Sequence, residues 1–268
     1  MNSAPATVAP QCEVWELSDD FDQLIEKAKT STELPVVAIV AESEQNRLQH
    51  LNGLARASAT TSMVRSHISK LGPLGRAVLC EMAQAMQPDL DIGGMLEVLQ
   101  IAENQVDDYG IMSSVSKLRQ PSPSLWQHLS SAWPSTIFVA KSNAEVLRPR
   151  RLESLIAKLN VASGSHFAFK HEPEQAKTRQ TETSDWLVSA YGADSAVAPK
   201  VSNDSVAKHW GKDDTIEVCF APKDLQAIVN DFKLHCWKCS WCGCETTQQN
   251  CRFCGSEAVG YVQNWRKL

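Results

Sequence analysis

The 268 residues carry a net charge of −5, and 43% of them are hydrophobic. That apolar supply is enough for an ordinary core, while the acidic balance argues against a protein that coats nucleic acid with its whole surface. No run of about 18 apolar residues occurs, which excludes a membrane-spanning helix.

The chain order then reads as follows. Residues 1–11 lack a basic stretch followed by an apolar one, so they are no secretory leader and read as a disordered tail. CEVWELSDDF predicts a short strand and the start of a helix, with Ser18 and Asp19 as N-caps. Pro35 precedes VVAIVAES, a β-branched apolar run that predicts a buried strand. From Gln45 to Gln120 the apolar spacing is helical. Within it, LGRAVLCEMAQAM, GGMLEVLQI capped by Asp91, and VDDYGIMSSVSKLR predict three short helices that resemble a helix-turn-helix core. Asp107 and Asp108 oppose a DNA-reading role for the third helix, and only Lys117 and Arg119 could meet phosphate there.

PSPSLWQHLSSAWPS predicts a turn around a short helix, STIFVA a strand, and AEVLRPRRLESLIAKLNV a helix. Arg148, Arg150 and Arg151 cluster at that helix start, against its dipole, as if for an anionic partner. HFAFK predicts a strand. Residues 171–212 turn polar and lose periodicity, which predicts a linker or long loop. DTIEVCF predicts a strand and PKDLQAIVNDFKL a helix leading into LHCWKCSWCGCETTQQNCRFCG.

That last stretch gathers six of the nine cysteines. Zinc wants four soft ligands at tetrahedral corners, and two CxxC turns supply them. A glycine after each second cysteine permits the tight turn. The glycine-flanked set is Cys239, Cys242, Cys251 and Cys254. Cys236-Trp-Lys-Cys239 is a competing CxxC pair, and Cys244 or His235 could replace one ligand. An iron–sulfur cluster or a redox pair would use the same residues. Clustered cysteines without a leader fit a reducing, cytoplasmic setting.

The paired knuckles resemble a zinc ribbon, and Trp237-Lys-Cys239 followed by two CxxC pairs resembles the zinc finger of the Ran-binding-protein type. The resemblance covers about twenty residues. It implies a Zn2+-stabilised module that contacts RNA, DNA or another protein. Residues 232–268 hold five Lys and Arg against two Asp and Glu. Trp237, Trp241, Phe253, Tyr261 and Trp265 interleave there with Lys238, Arg252, Arg266 and Lys267, as base stacking and phosphate contact would require. The same aromatics could simply pack against the knuckles.

The sequence thus predicts an α+β fold: a mixed body over 12–170 with a helical middle, a linker over 171–212, and a strand–helix with zinc ribbon over 213–268. The expected function is a non-enzymatic accessory subunit of a nucleic-acid-handling complex, partnered by other protein subunits. A protein-interaction adaptor with a purely structural zinc, or an enzyme whose site is assembled from distant residues, are the alternatives. The seven histidines show no telling spacing to a cysteine or carboxylate.

Overall fold

The computed structural model describes residues 13–17, 36–46, 64–118, 121–130, 136–142, 144, 146–147 and 164–257. Strands β1 (Glu13–Leu17), β2 (Val36–Ala41) and β3 (Val64–Ser69) pair in parallel in that order. All six residues of β2 are buried. A fully buried parallel strand has no polar face, which is why it reads as a continuous β-branched run.

Helix α1 (Pro73–Met86) and helix α2 (Ile92–Glu103) follow. Pro73 opens α1 where its missing N–H costs nothing. Asp91 caps α2 by accepting from the Gly94 amide at 2.9 Å. Then come β4 (Asp107–Met112), α3 (Leu125–Ser130), β5 (Phe138–Lys141), β6 (Val146–Leu147) and β7 (His166–His171). Helix α4 (Thr178–Tyr191), β8 (Asp194–Ser195), α5 (Asn203–Trp210), β9 (Ile216–Pro222) and α6 (Leu225–His235) complete the body. Strands β4 to β9 form one six-stranded sheet ordered β6-β5-β4-β9-β7-β8, antiparallel except for the β7–β8 pair. The α+β class is therefore correct.

Helices α1, α2 and α6 fill the space between the two sheets. Their core joins Val37 and Ile39 of β2 to Cys219 and Ala221 of β9. The opposite face of the large sheet packs under α4, where Tyr109, Ile111, Ile216, Val218 and Phe220 meet Leu187 and Tyr191. The Tyr191 and Phe220 rings stack 3.8 Å apart.

Four sequence expectations are corrected here. The third helix of the supposed helix-turn-helix is the central strand β4, hydrogen-bonded to β5 and β9 on its two sides. Its Tyr-Gly-Ile-Met run is short of helix formers, and burial between two neighbours selects the strand. Lys117 follows it in a turn, and Arg119 lies outside the described residues. The linker over 171–212 is instead α4, β8 and α5. Helix α4 buries Gln180, Ser184, Leu187 and Tyr191, a correct helical stripe in which two polar residues hide the period. Gln180 belongs inside because its amide donates to the carbonyls of Ile111 and Asp214. The boundary at 213 also dissolves, since β9 sits between β4 and β7. Of the helix expected over AEVLRPRRLESLIAKLNV, Val146 and Leu147 are instead strand β6 beside β5, and everything past Leu147 lies outside the described residues. The tail over 1–11, the helix expected near 18–30, Arg148, Arg150, Arg151, Tyr261, Trp265, Arg266 and Lys267 lie outside them too.

Candidate metal centre

After α6 the chain forms two knuckles of the same design. In the first, the Cys239 carbonyl accepts from the Gly243 amide at 2.9 Å, and the Cys239 amide donates to the Cys244 carbonyl at 2.8 Å. In the second, the Cys251 carbonyl accepts from Gly255 at 2.7 Å, and the Cys251 amide donates to Ser256 at 3.0 Å. Gly243 and Gly255 hold φ of 73° and 76°, a region that side chains disfavour. Each knuckle is closed by an equivalent pairing: strands β10 (Trp237–Lys238) and β11 (Glu245–Thr246) on one side, the Asn250–Glu257 bridge on the other.

The two knuckles face each other. The sulfurs of Cys239, Cys242, Cys251 and Cys254 all lie within 4.8 Å of one another. The Cys239–Cys254 and Cys242–Cys251 separations are 3.7 and 3.6 Å. A tetrahedral ion with metal–sulfur distances of about 2.3 Å needs sulfur–sulfur edges of roughly 3.8 Å, so these residues fit a four-thiolate metal. Cys239 and Cys251 are buried, Cys242 half-buried and Cys254 exposed. Hydrogen bonds from the Ser256 backbone and side chain pull the Cys254 thiol down to about 6. Burial pushes Cys242 and Cys251 up to about 12. Metal binding would supply the positive charge that those two need to ionise.

Cys236 and Cys244 stand outside the four. The Cys236 thiol faces the Lys233 carbonyl at 3.6 Å. Cys244 is buried against the body, in the core that includes α2. With four sulfurs converging, no coordination position is left for a catalytic water.

The module is seated on α2 by Asp91, read from the sequence only as a helix cap, and by Glu97, which the sequence did not single out. Asp91 accepts from the Glu245 amide at 2.8 Å and from Lys238 Nζ at 3.1 Å. Glu97, 2% exposed, accepts from the Thr247 amide at 2.7 Å and from the hydroxyls of Thr246 and Thr247. A Cβ on Gly93 would lie 2.5 Å from Cys244 Cβ and 2.9 Å from the Glu245 carbonyl. The Gly-Gly start of α2 is thus what lets the knuckle approach. A lone acid inside MLEVLQI and a Gly-Gly helix start were the available signals.

A second buried polar group sits at the other end of the helical layer. Asp108 and Glu217, 1% and 0% exposed, are diagonal neighbours on β4 and β9. Asp108 Oδ2 accepts from the Gly72 amide at 2.5 Å and Ser142 Oγ at 2.9 Å. Glu217 accepts from the Leu74 amide at 3.0 Å and Trp210 Nε1 at 2.5 Å. The two carboxyls therefore fill the first turn of α1, where backbone amides would otherwise receive an anion. Burial, then mutual repulsion, pushes Glu217 up to about 8, and burial pushes Asp108 up to about 6. Groups raised in the folded state stabilise it at acid pH and lose that contribution as pH rises through the folded values. The midpoint of urea unfolding should therefore fall as pH rises from about 4.5, where the unfolded carboxyls ionise, to about 8, and level off above that; Asp108→Asn should shrink the fall by lowering Glu217, and a flat profile from about pH 4.5 to about pH 8 would contradict this.

Folding also joins a histidine to a carboxylate despite the uninformative spacing. His67 Nε2 meets Glu103 at 2.5 Å, and Glu103 also accepts from Ser69 Oγ and the Lys70 amide. This pair ties the end of β3 to the end of α2.

No family model matches the sequence, and no curated protein matches it. Solved structures do. A DegV family protein from Eubacterium eligens loaded with heptadecanoic acid is 12% identical, with a TM-score of 0.55 over 72% of this chain and 75% of that one. The fold is that of the DegV family structures. The Streptococcus pneumoniae Fatty Acid Kinase (Fak) B3 protein loaded with linoleic acid is 10% identical, with a TM-score of 0.52 over 75% and 76%. A Thermotoga maritima protein whose structure is described as revealing a fatty acid binding function is 16% identical, with a TM-score of 0.53 over 75% and 74%.

The expectation of a nucleic-acid-handling subunit is corrected by this DegV-like fold, several solved examples of which are described by fatty acids. The residues named for nucleic-acid contact point the same way. Lys238 pairs with Asp91 and Glu245. Arg252 donates to the Leu96 carbonyl at 3.3 Å. Phe253 lies under the Arg65 guanidinium, 4.8 Å from its ring centre. Trp237 packs beside Cys239 and Cys251. Trp241, 77% exposed, has no such contact, while Lys238 and Arg252 stay exposed along their tethered side chains. The independent zinc ribbon is likewise corrected: the knuckles carry two-residue strands and rest on α2. No helix among the described residues is long and apolar enough to cross a membrane.

Proposed function

We propose that this protein is a non-enzymatic carrier of a long-chain fatty acid, stapled at its C-terminal side by one Zn2+ held by Cys239, Cys242, Cys251 and Cys254. The observation that carries the carrier reading is the likeness, over about three quarters of both chains, to structures described as fatty-acid-loaded. An open cavity of about 810 Å³ with a mostly polar lining offers a place for the carboxylate end. The cavity is lined by Lys117, Lys208, Lys212 and Asp213 with Leu118 and Ala207, and Lys208 reaches Glu44 just after β2. Ligands of open α/β sheets gather at the carboxyl ends of parallel strands. Three lysines suit an acyl headgroup there, because the first turn of α1 is already filled by Asp108 and Glu217. Zinc is favoured over other metals by four thiolates in paired glycine-closed knuckles. Reduced thiolates suit the cytoplasm. A partner protein would deliver or take up the acyl chain.

The test is displacement of a fluorescent fatty acid from the delipidated full chain. Oleate should compete, and Lys117→Glu with Lys212→Glu should weaken binding about tenfold, or 1.4 kcal/mol. Failure of the delipidated, folded chain to bind the probe would overturn the carrier reading.

A further inference from the structure

The metal module touches more than α2. Among the described residues, strand β3 is an edge of the three-stranded sheet, paired only with β2. Two groups of contacts hold it to the rest of the molecule. At its end, His67, Ser69 and Lys70 converge on Glu103. At its start, Arg65 Nε donates to the Phe253 carbonyl at 2.9 Å, and its guanidinium covers the Phe253 ring at 4.8 Å. Phe253 lies inside the second CxxC, between two of the four thiols.

We infer that the metal centre is a latch, through which metal occupancy sets how firmly the start of β3 is held to the body. The inference rests on the reading that the four thiols bind a metal. The Phe253 carbonyl is aimed by a knuckle closed by two backbone hydrogen bonds, Gly255 to Cys251 and Cys251 to Ser256, whose tie to α2 is the long bond from Arg252 to the Leu96 carbonyl at 3.3 Å. That loop has few residues and little core of its own, so the metal is what fixes its shape. The first knuckle keeps a separate hold on α2 through Asp91 and Glu97, which metal removal does not delete. Loss of metal therefore frees the second knuckle first, and with it the Arg65 contact. Glu103 still pins the end of the strand. The effect is local: residues Val64–Ser66 loosen while Ser69 and Lys70 do not.

Backbone amide exchange on the full chain, with metal content measured on every sample, tests this. Chelation should speed exchange at Val64–Ser66 about tenfold and leave Ser69 and Lys70 near their metal-bound rates. Arg65→Ala, which removes both the hydrogen bond and the ring contact and keeps all four thiols, should retain one metal per chain and show the same acceleration after correction for intrinsic rates. A chain that binds metal but whose β3 exchange changes neither on chelation nor in Arg65→Ala would overturn the latch alone. A folded chain that binds no metal would overturn the metal reading beneath it.

Discussion

Chelating the metal should lower folding stability by about 4 kcal/mol when free Zn2+ has stood about 1,000-fold above its dissociation constant. The folded chain brings four sulfurs within 4.8 Å, an arrangement an unfolded chain lacks, so binding energy becomes folding energy. Cys251→Ser removes a buried corner of that set and should abolish stoichiometric metal along with most of the same stability. Cys236→Ser should keep one metal per chain, because Cys236 turns away toward Lys233. Metal analysis and urea unfolding of the two variants read this out. Equal metal loss in both would restore the competing ligand set of Cys236, Cys239, Cys251 and Cys254.

Gly93→Ala should cost about 1–3 kcal/mol, although it adds only a methyl group at the start of a helix. On an exposed helix the same change would be stabilising. Here the new Cβ would press on Cys244 Cβ at 2.5 Å and the Glu245 carbonyl at 2.9 Å, and neither can rotate away. The first knuckle must therefore back off from α2, stretching its bonds to Asp91 and Glu97. Thermal unfolding should fall while metal stoichiometry stays at one, since the four sulfurs belong to the module itself. A stabilised Gly93→Ala protein would show that the knuckle does not rest on α2.

The sequence made legible what depends on local chemistry. VVAIVA, HFAFK and DTIEVCF read as strands and are β2, β7 and β9. The two glycines picked Cys239, Cys242, Cys251 and Cys254 out of six cysteines, because a knuckle's backbone needs positive φ within a few residues. What depends on distant partners did not show. The third supposed helix became β4 because β5 and β9 flank it. Helix α4 looked like a linker because its buried stripe includes Gln180, whose partners are carbonyls of Ile111 and Asp214. Lys238, Arg252 and Phe253 suggested a surface free for a partner, whereas contacts with Asp91, Leu96 and Arg65 tie them to the body. Each of these partners lies more than about twenty residues from its mate in the chain.

Native mass spectrometry of the purified full chain, without added lipid and then after delipidation and addition of oleate, tests the central claim most directly. The account predicts one metal on each chain and a population carrying one fatty acid, which delipidation removes and oleate restores. A folded, metal-bearing chain that takes up no fatty acid under saturating supply would contradict it.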